Sequence, residues 1–204
     1  MWAREGSAAR NWSRPDEEPE IIRITALNVE IRKQKVEIID SPFDAFVRPI
    51  IHPMLPQYIQ KLTHITQRDV DTAATLEEVM PQFREYKSDF YMTAHGVENE
   101  IFHRNFDIYG LNDRESKLQC INLRDWLYGP VGLDPKAIIN GESLCSGNLS
   151  EYLEADSYMP DHIRQIQAHQ GVKDVYSLAA MLEKLVVNDE YDFEAWALKH
   201  CAKP

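Results

Sequence analysis

A histidine and an aspartate stand five positions apart near the C-terminal end of the sequence, at His169 and Asp174. A histidine can take a proton from a metal-bound water, and a carboxylate can hold a hard cation such as Mg²⁺. The same spacing is also common by chance. Asp174 has a purely structural interpretation as well, because the helix dipole favours an aspartate at a helix start. The pair therefore indicates metal-dependent hydrolysis only together with other motifs.

Further motifs precede this pair, in a fixed order along the chain. The most specific one is Leu62-Thr63-His64-Ile65-Thr66-Gln67, which is followed by Val70-Asp71-Thr72-Ala73. The whole series resembles the DEDDh superfamily of 3′–5′ exonucleases, in particular its RNase T and KapD-like branch. The other stretches that carry the resemblance are Glu20–Val29, Phe43–Pro49, Ala94–Asn99 and His169–Val175.

The resemblance implies roles for individual residues. It makes His169 the counterpart of the catalytic histidine, Asp174 that of the last metal-binding aspartate, and Asn99 that of another metal-binding aspartate. It also implies an RNase H-like fold. The segment that lines the family's substrate cleft corresponds to Leu62, Thr63, His64 and Ile65, with His64 where glycine is usual.

Most of the acidic metal ligands that the resemblance implies are missing. The family uses four carboxylates to hold two divalent cations, because two such cations about 4 Å apart repel each other strongly. Asn99 is neutral, and Met1–Ser13 contains no aspartate for the Asp-x-Glu motif that should precede Ile21. Asp174 alone is at most a weak metal ligand. We therefore expect no tightly bound cofactor, and Mg²⁺ or Mn²⁺ only if the protein is active.

Two other segments carry the letters of the missing motif. Asp16-Glu17-Glu18 adjoins Pro19 at the start of the next strand, where an acidic connecting turn is the simpler interpretation. Asp192-Phe193-Glu194 follows the polar Asn188-Asp189-Glu190, whereas a buried strand needs apolar residues. The central first strand of the family is then either replaced by Met1–Trp12 in an atypical form, or the sheet is completed in another way.

Composition restricts the partners and the compartment. The net charge of −11 and pI of about 5.1 repel phosphate backbones, so any contact with nucleic acid must be local. Three cysteines without a Cys-x-x-Cys pair favour a reducing compartment. No apolar run approaches the roughly 20 residues of a membrane span. These features predict a protein of the cytoplasm or nucleus with no membrane contact.

The hydrophobic pattern predicts an α/β fold, an RNase H-like mixed sheet flanked by helices. Two β-branched runs at 21–31 and 36–47 predict a hairpin, and a second strand–helix unit is predicted from Phe90 to Gly110. Residues 129–147 read as a loop, and Val175–Leu185 as an amphipathic last helix. We expect an irregular arm at 1–19, an exonuclease-like domain at 20–194 and a tail at 195–204.

These observations favour a pseudo-exonuclease, a retained fold that binds a protein partner and makes some single-stranded RNA contact in RNA processing or silencing. The alternative is an active Mg²⁺-dependent 3′–5′ exonuclease whose first motif comes from 16–18, from 192–194 or from a segment absent from this chain. A third hypothesis is altered splicing or truncation, in which an unrelated leader replaces the catalytic first strand. A longer transcript with Asp-x-Glu upstream of Trp12 would favour it.

Overall fold

The structure is a computed structural model that describes residues 5–7, 10, 12–14, 17–32, 35–86, 90–93, 98–111, 119–187 and 191–201. The chain divides into two compact units. The first comprises Met1–Thr25, Phe43–Tyr86 and Val97–Leu118. The second comprises Ala26–Pro42, Lys87–Gly96 and Gln119–Pro204.

Four strands open the described chain and three helices follow, after which strands and helices alternate before a final run of helices. The strands are β1 (Arg23–Ala26), β2 (Val29–Arg32), β3 (Lys35–Ile38), β4 (Phe43–Phe46), β5 (Phe90–Thr93), β6 (Gln119–Asn122), β7 (Ile138–Ile139) and β8 (Glu142–Ser143). The α-helices are α1 (Gln57–Thr63), α2 (Gln67–Asp71), α3 (Leu76–Tyr86), α4 (Glu98–Tyr109), α5 (Leu123–Tyr128), α6 (Leu149–Tyr152), α7 (Asp161–Arg164), α8 (Gly171–Val187) and α9 (Phe193–Cys201), with a 3₁₀ turn at Asp156–Tyr158. The predicted α/β class is confirmed.

The strands pair two by two in the described residues, as β1 with β4, β2 with β3, β5 with β6, and β7 with β8. The predicted hairpin is therefore present in two parts, since each of its long arms is interrupted, by residues 27–28 and by residues 39–42. Pro42 lies in the second interruption and has no N–H to donate to a ladder. Strands β5 and β6 run parallel, as a strand–helix–strand sequence requires.

The first unit buries an aliphatic cluster beside an aromatic one. The ring of Phe43 lies 5.5 Å from that of Phe83, which in turn stacks on Phe102 at 6.0 Å. Because α3 and α4 both supply rings to this cluster, it joins the two helices to β4. The aliphatic cluster consists of Ile22, Leu55, Ile59, Ile65 and Val70.

A buried carboxylate organises the segment between β4 and α1. Glu20 is completely buried. It accepts the backbone N–H groups of Ile50 at 2.8 Å, Ile51 at 2.9 Å and His52 at 2.7 Å, as well as the hydroxyl of Tyr109 at 3.2 Å. A buried carboxylate is stable only when its lone pairs are satisfied, and these four donors do so. The segment that precedes α1 is thereby fixed to the strand start and to α4.

A second buried polar group ties α4 to the chain before β1. The carboxamide of Asn105 accepts the N–H of Ile21 at 2.9 Å and donates to the carbonyls of Pro19 at 2.7 Å and Ile101 at 2.8 Å. Asn105 is completely buried, so each of these bonds satisfies a group that water cannot reach.

His64 stands at the C-terminal end of α1, in a backbone conformation that favours glycine. His64 caps the helix with φ 58° and ψ 15°, in the left-handed region. Glycine adopts this conformation without a steric penalty, whereas a residue with a Cβ does not. His64 is exposed, so the strain is not offset by burial of the imidazole.

The second unit is built around α5, α8 and α9. Trp126 is 1% exposed, and the ring of Phe193 meets its ring edge-on at 4.7 Å. Trp196 lies 6.1 Å from Trp126 and packs against the same core cluster. The predicted tail at 195–204 contains most of helix α9, and the predicted loop at 129–147 contains the small β7–β8 hairpin.

None of the helices in the described part of the chain is both long and apolar enough to cross a membrane.

Replacing Glu20 by Ala should lower the free energy of unfolding by about 3 kcal/mol, because four donors lose a charged acceptor. Tyr109→Phe removes one of these bonds and should cost about 1 kcal/mol. Urea titrations of both variants and the wild type measure the difference. Equal stability of Glu20→Ala and wild type would contradict the role given to this carboxylate.

Tyr109 should also make stability depend on alkaline pH. Burial raises the pKa of Tyr109, and the negative charge of Glu20 raises it further. The stabilisation is complete below the unfolded pKa of about 10 and is lost as the pH rises above it. Between about pH 9 and about pH 11 the wild type should lose more stability than Tyr109→Phe. An equal loss in both proteins would contradict the bond to Glu20.

His64→Gly should stabilise the protein by roughly 1 kcal/mol, since it removes the left-handed strain of the helix cap. His64→Ala, which keeps a Cβ, is the matched control and should not stabilise. Thermal unfolding of the three proteins distinguishes strain relief from loss of the imidazole.

Candidate functional site

The predicted catalytic pair lies at the start of α8, in the second unit. Asp174 is in the first turn of this helix, and its Oδ1 accepts the backbone N–H of His169 at 3.0 Å. His169 itself has a positive φ of 64°. The carboxylate therefore holds the turn that presents the histidine, and the structure brings these two predicted residues together.

Two residues that the sequence did not single out lie against Asp174. A Cβ added to Gly147 would come within 2.3 Å of Asp174 Oδ1 and 2.8 Å of Ala168 Cα, so only glycine allows this close approach. Cys145 is partly buried, and burial raises the pKa of its thiol, with a smaller contribution from the negative charge of Asp174. Both residues lie in the stretch 129–147, which its Gly and Ser content predicts to be a loop. That prediction gives no indication that they lie near the start of α8.

The remaining predicted site residues belong to the first unit. Asn99 lies at the start of α4 and is partly buried. In the predicted cleft segment, Thr63 Oγ1 donates to the Ile59 carbonyl at 2.8 Å, and Ile65 is 4% exposed. Leu62 is partly buried in the last turn of α1. The family-like order of their segments also predicts that Asn99 and Asp174 lie in one cleft, and this stays a prediction.

Both alternative sources of the first motif have structural uses. Glu17 is buried and pairs with the guanidinium of Arg10, which holds the pKa of Glu17 below its usual value. Asp192 Oδ1 accepts the N–H of Ala195 at 2.9 Å, at the beginning of α9. Phe193, which follows it, is in the core. Asp16 lies outside the described residues.

The donor set of the described residues does not fit a pair of divalent metals. No group of three or more His, Cys, Asp or Glu side chains capable of holding one ion occurs in the described part of the chain. Asp174 supplies one carboxylate, and Asn99 supplies a neutral carboxamide. Two dications need several carboxylates to offset their mutual repulsion, so we derive no metal-dependent step from these residues.

Comparison with known sequences finds similarity to exonucleases. The RNase T family model, described as an exonuclease, matches residues 11–108. The chain is 27% identical over 170 residues to a PolC-type DNA polymerase III of Caldanaerobacter subterraneus, covering 81% of this chain and 10% of the polymerase. It is 35% identical over 85 residues to the epsilon subunit of DNA polymerase III from Aquifex aeolicus, covering 42% of this chain and 39% of that subunit. The chain thus spans a minor part of each relative.

Solved structures share the fold. The nuclease domain of 3'hExo, a DEDDh family member bound to rAMP, superposes with a TM-score of 0.57 at 16% identity, covering 84% of this chain and 95% of that one. A full-length 3'-exonuclease gives a TM-score of 0.59 at 17% identity, covering 86% of this chain and 77% of that one. The chain therefore has the RNase H-like fold of these exonucleases, and its residues 11–108 match the RNase T exonuclease family model.

Proposed function

We propose that this protein is a catalytically degenerate 3′–5′ exonuclease-like domain, which acts as an interaction module for a protein partner and single-stranded RNA in RNA processing or silencing. The observation that carries the proposal is the incomplete set of acidic ligands. Asn99 replaces one carboxylate, and Met1–Ser13 offers no aspartate for the first motif. The exonuclease family as a whole uses Mg²⁺ or Mn²⁺, so the loss bears directly on its chemistry.

The interactions of Glu17 and Asp192, which belong to the two alternative sources of the first motif, support this proposal. Glu17 is paired with Arg10, and Asp192 accepts a backbone N–H of α9. Recruiting either as a metal ligand would cost the interaction that it now makes. Without a metal-bound water His169 has no acid of suitable pKa to deprotonate, so a histidine alone does not run the hydrolysis.

The partner classes follow from fold and charge. Structural relatives are described with bound rAMP, in recognition of a histone mRNA stem-loop and in complex with a 5′-overhanging duplex DNA, so two of these three support RNA and one supports DNA. The net charge of −11 opposes a long electrostatic contact with a phosphate backbone. We therefore assign RNA a local contact and a protein the larger one, in the cytoplasm or nucleus.

A nuclease assay tests the loss of activity. Wild-type protein is incubated with single-stranded RNA or DNA that has a free 3′ end, in the presence of Mg²⁺ or Mn²⁺. The length of these substrates should stay unchanged. Metal-dependent shortening from the 3′ end that is abolished by His169→Ala would replace the proposal with the active-exonuclease alternative. Shortening that persists in His169→Ala would instead identify a contaminating nuclease.

Asn99→Asp alone should not create a nuclease. It restores one carboxylate, but the two of the first motif stay absent, so neutralisation of a metal pair remains incomplete. We expect a small Mn²⁺-dependent rise in melting temperature, because a ligand of the folded state stabilises it. Gln82→Glu, at an exposed position of α3, does not correspond to a family ligand and is the control for charge alone. Cleavage by Asn99→Asp, lost on adding His169→Ala, would show that other acids complete the site.

A further inference from the structure

An open groove in the second unit lies between β3 and α8. It has a volume of about 110 Å³, somewhat less than the roughly 150 Å³ of an apolar cavity that accepts a benzene molecule. Its size therefore suits one aliphatic side chain. Ile38 is 42% exposed and Tyr158 44% exposed at its rim. The lining residues are Val36, Ile38, Tyr158, Tyr176, Ala179, Ala180 and Glu183.

Strand β3 has one edge paired with β2 and an outer edge that borders this groove. The N–H of Ile39 donates to the Asn28 carbonyl of the β2 side at 3.0 Å, and Val29 is opposite Ile38. In an antiparallel pair, residues alternate between bonding to the partner and pointing outward, so the N–H and C=O of Ile38 point to the outer edge. In the described residues β3 pairs only with β2.

The helix already caps one position of this edge. The N–H of Val36, which also points outward, donates to the carboxylate of Glu183 on α8. Helix α8 therefore covers the edge at Val36 and leaves no donor there for a partner. Two residues further along, at Ile38, the edge borders the groove instead.

The charges around the groove are mostly negative. Glu183 lines it, and the exposed side chains of Glu37 and Asp40 lie on the same strand or just beyond it. Lys35 pairs with Glu37 at 2.8 Å and also acts on Glu183, and Arg32 pairs with Glu30. The acidic groups on the groove side are therefore Glu183 at one end and Asp40 at the other. The whole chain has a net charge of −11. A partner segment that complements this edge is therefore basic on either side of an apolar residue.

We propose that an extended segment of a partner protein, apolar at its centre and flanked by basic residues, docks along the outer edge of β3. Its backbone pairs with Ile38, and its apolar side chain fills the groove over Ala179 and Ala180. Main-chain bonds of this kind give affinity, while the pocket gives specificity. The inference rests on the proposed interaction role but not on loss of nuclease activity, so the two can fail separately.

Fluorescence anisotropy with a labelled peptide of alternating Val and Lys tests the proposal. Wild-type protein should bind it saturably, and Ile38→Asp should weaken binding by about tenfold or more, because it places a charge against the apolar side chain. Ile138→Asp, which alters a residue 67% exposed in the β7–β8 hairpin of the same unit, should leave binding unchanged. Circular dichroism checks that both variants are folded.

The variants separate docking from charge attraction, since both aspartates make the protein more acidic. Equal or tighter binding by Ile38→Asp would mean non-specific attraction and overturn the proposal. N-methylation of alternate peptide residues should abolish binding, and unchanged affinity would exclude strand pairing. Absence of wild-type binding would also overturn the proposal. So would a dimer in light scattering that Ile38→Asp dissociates, because the occupant would then be a second copy of this chain.

Discussion

The carboxylate of Glu20 accepts three successive backbone N–H groups, from Ile50 to His52, and in doing so fixes the chain between β4 and α1. These amides lie in an irregular segment, so no strand or helix supplies their acceptors. The hydroxyl of Tyr109 adds a donor from α4. The chain before β1, the connecting segment and α4 are thus held by one buried side chain, and the connecting segment leads directly into α1.

The same interaction recurs at the predicted catalytic pair, where Asp174 accepts the N–H of His169. A carboxylate has two oxygens and about four acceptor sites, which can serve N–H donors or a metal ion. Glu20 has four donors and is thereby saturated. Glu20 and Asp174 thus both stabilise irregular segments of the chain. The proposed loss of chemistry is compatible with retention of the fold, because Glu20 is not among the residues to which the resemblance gives a metal-binding role.

The sequence predicted elements wherever periodicity and burial agreed. Helix α8 follows the apolar spacing of Val175–Leu185, and α4 lies within the strand–helix unit predicted from Phe90 to Gly110. The α/β class followed from the same alternation. The resemblance also singled out His169 and Asp174, and the structure shows a hydrogen bond between them. Their spacing alone would not have separated this pair from a chance occurrence.

Other features depend on contacts between residues distant in sequence, which periodicity does not report. Glu20 reads as one more acidic residue before a strand, and its bonds to residues 30 to 32 positions later give no local signal. Gly147 reads as a loop glycine, yet its missing Cβ is required by Asp174. Helix α9 was missed because its polar approach resembles a solvated tail, whereas Phe193 and Trp196 anchor it to Trp126.

The central claim is that the acidic ligand set of the exonuclease site is incomplete. Electron paramagnetic resonance of free Mn²⁺, titrated into the wild-type protein, measures how many ions bind and how tightly. The account predicts only weak binding, without a stoichiometric pair of sites, and the same curve for Asp192→Asn. Two tightly bound Mn²⁺ ions per chain, reduced by Asp174→Asn, would contradict it and place an intact metal centre in this fold.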